Sequence, residues 1–195
     1  MEIDNTDKKL LLELARESIK TYFKGEKPGK PILEKVKHLS ERRGVFVTLH
    51  KDGELRGCIG FPMPVHSLNT AIIEAARSAA FHDPRFPPLE EDELDRVEIE
   101  ISVLTLPQEI KVSHPNEYLD RIRIGEDGLI VQGPFGSGLL LPQVAVENNF
   151  NVQKFLNCLC QKAGMGFNCW KDLNNRISKF QAIIFSEKEF KKETV

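Results

Sequence analysis

In Leu55-Arg56-Gly57-Cys58-Ile59-Gly60 a guanidinium and a thiol stand two residues apart among glycines. On a strand, residues two apart share a face. A cation beside Cys58 would pull its thiol below a reference pKa of about 8.5 and make it a thiolate nucleophile. Gly57 and Gly60 would let a ligand backbone or a phosphate approach closely. Nucleophilic catalysis also needs a base within hydrogen-bond reach. His82 is the histidine nominated, because a three-residue hairpin loop sets His50 beyond Arg56 and far from Cys58. The alternative is an inert Cys58 packed as a small hydrophobe, with the glycines as packing or bulge devices.

The second stretch is His82-Asp83-Pro84-Arg85-Phe86. Two ionisable groups and an arginine, held by proline, make an anion or carboxylate clamp. Against this stands a helix-stop loop in which Asp83 pairs with Arg85 or caps nearby amides. If the loop folds over the Arg56/Cys58 face, the two arginines converge on one cleft. Other candidates fail on geometry. Cys158 and Cys160 on a helix point about 200° apart, so with Cys169 they make no metal site, and none is expected. Residues 133–138 are glycine-rich but lack the lysine and hydroxyl of a phosphate loop and precede a strand, so they read as a hairpin connection. The acidic run 90–95 reads as a solvated surface helix, and Trp170 with Phe167 as packing.

These residues need elements to hold them. A first helix over 7–24 has Leu11, Leu14, Ala15, Ile19 and Tyr22 on one face, capped by Thr6 or Asn5. Strands 45–50 and 54–59 flank Lys51-Asp52-Gly53. A two-residue turn would pair Leu49 with Arg56. A three-residue loop with Gly53 in a G1 bulge pairs Leu49 with Leu55 and segregates apolar from polar. Arg56 and Cys58 then project together, away from the core. Ser67 caps a helix to about residue 81 whose Leu68, Ala71, Ile72, Ala75, Ala76, Ala79 and Ala80 form a small-residue face. Val97, Ile99, Ile101 and Val103 alternate as a strand with one buried face.

The second half repeats hairpin, helices and closing strand. Strand-like segments fall at 122–124, 129–131 and 139–141, helices at 142–148 and 152–162, the latter capped by Asn151, and a last strand at 177–185. The expected fold class is α+β in a single domain over 1–195. Lobe one is about 32–106 with the N-terminal helix, lobe two about 107–187, and 188–195 is a frayed tail.

The chain has 195 residues, 41% hydrophobic and 29% charged, with a formal net charge of -2. That size suits one domain and needs no staples. The near-neutral balance gives no chain-wide case for nucleic acid. No apolar run reaches the roughly 20 residues of a membrane span, and the acidic first residues are no secretory signal. Four sparse cysteines point to free thiols in a reducing cytoplasm. No cofactor is expected.

The hexapeptide at 55–60 resembles the signature of the AMMECR domain family. Arg43-Gly44-Val45-Phe46-Val47-Thr48-Leu49 before it agrees with the family pattern. So do Glu74-Ala75-Ala76-Arg77-Ser78-Ala79-Ala80-Phe81, Asp83-Pro84-Arg85-Phe86, Leu141-Pro142-Gln143-Val144-Ala145 and Gln161-Lys162-Ala163-Gly164. The resemblance spans about residues 10–187. It implies two β-β-β-α-α-β repeats with mainly antiparallel sheets in two packed lobes, whose C-terminal strands are exchanged. It implies little about activity. Prokaryotic relatives often sit beside genes for a Memo-type, dioxygenase-like protein and a radical SAM protein, which suggests those as partners. Leu139-Leu140-Leu141 replaces the hydroxyl-bearing segment expected there, so no hydroxyl role carries over. Residues and resemblance together favour a binding or regulatory module. Its cleft of Arg56, Gly57, Cys58, Gly60, His82, Asp83 and Arg85 would take a small anion or a partner's acidic segment. An enzyme using Cys58 and a nucleic-acid-associated factor are the alternatives.

Overall fold

The computed structural model describes residues 3–37 and 39–191. Helix α1, Asn5–Phe23, begins where Asp4 accepts the amide of Asp7 at 2.8 Å, so the cap is Asp4 rather than Thr6 or Asn5. Leu11, Leu14, Ala15 and Ile19 are buried as their spacing requires. Tyr22 instead sits at the rim, stacked on Phe81 with ring centroids 4.1 Å apart. A short α2, Lys30–Lys35, with proline in its first turn, follows the connector.

Strands β1, Val45–Lys51, and β2, Glu54–Phe61, form the first hairpin. Helix α3, Leu68–Phe81, buries the whole small-residue face named above. A 3-10 turn, Glu91–Arg96, leads into β3, Val97–Leu104, whose Val97, Ile99, Ile101 and Val103 are buried. Next come β4, Gln108–Glu109, and α4, Tyr118–Arg121. They are followed by β5, Gly128–Gly133, β6, Gly136–Leu140, α5, Pro142–Glu147, and α6, Val152–Lys162. The chain closes with β7, Arg176–Phe180, β8, Ala182–Ser186, and α7, Glu187–Lys191. The class is α+β.

The sheets run β2-β1-β3-β8 and β4-β7-β5-β6. Read from the hairpin edge, the first goes β2, β1, β3 and then β8, and the second goes β6, β5, β7 and then β4. By the expected lobe bounds β8 crosses from lobe two into the first sheet, while β4 already lies in lobe two. Residues 1–104 with 183–195 form one compact unit and 105–182 the other. The expected lobe boundaries at 106 and 187 therefore move, because β8 sits beside β3. The single closing strand expected at 177–185 is interrupted at Gln181. There the backbone exchanges hydrogen bonds with Thr105: Gln181 N–H reaches Thr105 Oγ1 at 2.9 Å, and Thr105 N–H reaches the Gln181 carbonyl at 2.8 Å.

Other expectations change with tertiary context. Residues 122–124 form no strand, because the buried Asp127 carboxylate accepts the Arg123 amide and bends the chain into a turn. Residues 188–191 of the expected frayed tail continue helix α7, which begins at Glu187. Glu187 accepts the Arg16 guanidinium and, at 3.0 Å, the Ile99 amide. Residues 192–195 of that tail lie outside the described residues. Cys160 and Cys169 form a disulfide, S–S 2.04 Å, so only Cys58 and Cys158 are free thiols. The buried face of α6 carries Cys160 to the start of a 3-10 turn at Cys169, a proximity that spacing alone does not reveal. Trp170 is core, donating to Asn157 Oδ1 at 2.7 Å, while Phe167 is exposed. Among the described residues no helix is long and apolar enough to cross a membrane.

Candidate functional site

The first hairpin decides where Arg56 and Cys58 go. Asp52 and Gly53 both have positive φ, 53° and 88°, and Lys51 pairs with Glu54. This is the two-residue Asp-Gly turn of the type I′ family, not the expected three-residue loop. The apolar register is recovered one step later by a bulge. His50 pairs with Leu55 and Leu49 with Gly57, leaving Arg56 as the extra residue. Val47 then faces Ile59, and Thr48 faces Cys58. Leu55, expected on the core face, is exposed.

Arg56 therefore does not project beside Cys58. Its Nη2 lies 2.8 Å and its Nε 3.2 Å from the two Glu93 oxygens, and Nη1 donates to the Pro87 carbonyl at 3.0 Å. Lys51 Nζ reaches the same carboxylate at 2.6 Å, and the Glu90 amide donates to it at 3.0 Å. The Arg56 guanidinium, then Lys51 and the Glu90 amide, hold the Glu93 carboxyl down to about 2 against the opposing effect of burial. Glu93 belongs to the acidic run read as a solvated face; Glu90, Glu91, Asp92 and Asp95 are exposed, and the reading is corrected for Glu93 alone. Its side chain is only 15% exposed. The capping box with Glu90 was the available signal, since it forces the Glu93 side chain back toward its own helix start.

Around this carboxylate opens a recess of about 330 Å³, lined by Lys51, Arg56, Pro87, Pro88, Glu90, Asp92, Glu93 and Arg96. Arg96 also pairs with Asp52 at the hairpin turn. One carboxylate thus serves two cations at the recess wall. Pro87 and Pro88, after α3, form part of that wall, whereas Cys58, His82, Asp83 and Arg85 do not line it.

The rest of that turn serves the edge strand β2. Asp83, buried, accepts the Cys58 amide at 2.9 Å, while Arg85 Nη2 donates to the Cys58 carbonyl at 3.0 Å. Arg85 also closes on Asp83 through Nε at 2.9 Å and Nη2 at 2.7 Å. The pair of side chains thus takes the place of a neighbouring strand at an edge that otherwise presents unpaired backbone groups. Arg85, followed by the Cys58 and Arg85 amides, holds the Asp83 carboxyl far below the usual carboxylate range. The Asp83–Arg85 pair and the Arg56 recess are separate arrangements. Arg56 and Arg85 attend different partners, so the expected convergence of guanidiniums does not occur.

His82 ends α3, exposed, with its ring edge-on to Tyr22 at 6.0 Å between centroids. Cys58 Sγ accepts from the Thr48 hydroxyl at 3.3 Å, and no hydrogen bond joins it to His82 among the described residues. The glycines leave no opening for a ligand. A Cβ on Gly57 would lie 2.2 Å from the Ala79 carbonyl of α3, and one on Gly60 would lie 2.2 Å from the Val45 carbonyl. Both are sites of close packing. Among the described residues no cluster of His, Cys, Asp and Glu could hold a metal ion.

Two four-stranded sheets with helices, and a charge-lined recess at the hairpin end of the first, define an α+β protein. The chain belongs to the AMMECR1 family, whose model matches residues 12–185. It is 48% identical over 177 residues to a protein of Methanothermobacter thermautotrophicus, covering 91% of this chain and 92% of that one. It is 47% identical over 184 residues to Protein MJ0810 of Methanocaldococcus jannaschii, covering 93% and 90%. The crystal structure of the uncharacterized protein PH0010 from Pyrococcus horikoshii matches with a TM-score of 0.76 at 44% identity. That match covers 91% of this chain and 89% of PH0010.

Proposed function

We propose that the chain is a binding module whose recess at Lys51 and Arg56 takes a small anion or the acidic segment of a protein partner. One observation carries this reading: two cations share the single Glu93 carboxylate at the wall of an open recess. Lys51, Arg56 and Glu93 together carry one formal positive charge at a place where solvent and ligand have access, while Glu90 and Asp92 share the lining and Arg96 is paired with Asp52. A partly desolvated site strengthens the pull of that local charge on an anion. Arg56 is held through Nε, Nη1 and Nη2 by Glu93 and the Pro87 and Pro88 carbonyls, so it fixes the wall of the recess, and Lys51, the more exposed of the two cations, is the group left to meet an anion. Memo-type and radical SAM proteins are the partners that the family resemblance suggests for the protein.

Calorimetric titration with inorganic pyrophosphate and with an acidic hexapeptide tests the reading. Binding is expected at low salt, weakening as salt rises, and Lys51→Gln is expected to weaken it about tenfold. Lys51 is the residue to change because it lies at the hairpin end and leaves the Arg56–Glu93 pair intact. Absence of binding by either probe at low salt, or equal binding by wild type and variant, would end the proposal.

A further inference from the structure

The register correction has a chemical outcome on the outer face of the first sheet. Across β2, β1 and β3 the pairs run Cys58–Thr48–Glu100 in one row and Leu55–His50–Glu98 in the next. Thr48, His50, Glu98 and Glu100 alternate with buried core residues, so they share the face away from α3. The Thr48 hydroxyl contact puts the Cys58 thiol on that same face. His50 is therefore one row from Cys58 on the adjacent strand and directly opposite Glu98 on the strand beyond. The expected three-residue loop would have put it two rows away.

We propose that Cys58, His50 and Glu98 form a thiol–imidazole–carboxylate site for a soft carbon electrophile that carries a leaving group, such as an activated acyl. Diagonal neighbours on one sheet face have Cβ atoms about 7–8 Å apart or somewhat less, within reach of long side chains. An imidazole extended toward a cysteine bridges that span with one hydrogen bond. Glu98, as the direct cross-strand neighbour, is placed to receive the other ring N–H and orient the base, the nucleophile–base–orienter order of acyl-transfer sites. Among the described residues no hydrogen bond joins His50 to Cys58 or to Glu98, and His50, Glu98 and Glu100 have no other hydrogen bond or ion pair, so the three are uncommitted rather than already assembled. Cys58 is half-buried and is one of two free thiols. The bulge beside it is a device that re-aims side chains.

In the step itself the Sγ–H proton passes to a His50 ring nitrogen and the sulfur forms an S–C bond. The bond from that carbon to the leaving group breaks, and the imidazolium returns the proton to the leaving group. No electrons are gained or lost overall. The other groups facing Cys58 are the Thr48 hydroxyl, the Asp83 carboxylate at its amide and the Arg85 guanidinium at its carbonyl, with Glu100 beyond Thr48 in the same row. They remain constant in the comparison below.

The test is iodoacetamide alkylation of Cys58, followed by peptide mass spectrometry from pH 5 to 9 in a Cys158→Ser background. An ordinary thiol is only a few per cent thiolate at neutral pH. Pairing with His50 is expected to raise the rate at pH 6.5 by about tenfold, the gain limited by the lower nucleophilicity of a more acidic thiol. His50→Gln is expected to lose that gain and revert to a simple thiol profile, Glu98→Gln to lose part of it, and His82→Gln to leave it unchanged. Folding of each variant is checked by its thermal melt. If His50→Gln does not fold, Glu98→Gln carries the test through its pH profile. An ordinary thiol profile in wild type, an unchanged profile in His50→Gln or Glu98→Gln, or an equal loss in His82→Gln would overturn the assignment.

Discussion

Glu93 holds the recess together at the scale of single side chains. It receives Arg56, Lys51 and the Glu90 amide, so removing its charge leaves two cations facing each other. A carboxyl whose folded pKa lies below its unfolded value stabilises fully above the unfolded value and loses that contribution as pH falls through the folded one. Glu93, at about 2 against an ordinary 4.5, contributes above about pH 4.5 and fades toward pH 2. Glu93→Gln is therefore expected to cost about 2 kcal/mol at neutral pH, discounted for partial exposure, and little near pH 2. Urea unfolding at several pH values measures this. A penalty that stays constant down to pH 2 would contradict it. Asp83→Asn is expected to loosen the β2 edge, because the neutral amide cannot hold Arg85 in place as a carboxylate does.

At the scale of elements the decisive contact is between β2 and α3. The Ala79 backbone lies where a Gly57 Cβ would be, and the alanine-rich face of α3 permits that approach. The same arrangement recurs in the second unit, where a Cβ on Gly136 of β6 would lie 2.2 Å from the Ala163 carbonyl at the end of α6. Gly57→Ala is expected to destabilise by about 2–3 kcal/mol, since backbone cannot yield as a side chain does. Gly166→Ala, with open space around it, is expected to stay within about 0.5 kcal/mol of wild type. Thermal or chemical denaturation of the two variants side by side checks the contrast. Equal effects would mean that the β2–α3 contact is not what Gly57 serves.

For the whole molecule, the path of the chain matters more than any one contact. The chain leaves β7 at Gln181, β8 closes the first sheet beside β3, and Glu187 then pins α7 to Arg16. A chain ending at residue 181 would leave β3 as an unpaired edge rich in Val and Ile, a template for aggregation. Such a truncation is expected to be recovered mostly insoluble, and any soluble fraction to melt well below the full chain. Full solubility with an unchanged melting temperature would show that the first unit closes without its returning strand.

Local periodicity was enough to reveal the face of α3, the alternation of β3, the α+β class and the helix capped by Asn151. Each is encoded by residues a few positions apart, and burial of one face follows directly from that spacing. The Pro-rich turn and Arg56 were also visible as polar residues crowded beside a glycine-rich strand. Their partners were not. Glu93 lies 37 residues from Arg56 and meets it only because the turn after α3 folds back onto the hairpin. The two-residue turn and its compensating bulge, the Cys160–Cys169 bond and the placement of His50 beside the Cys58 row likewise depend on how distant segments pack. A polar side chain states what it can bind, but which group reaches it is settled by the three-dimensional course of the chain.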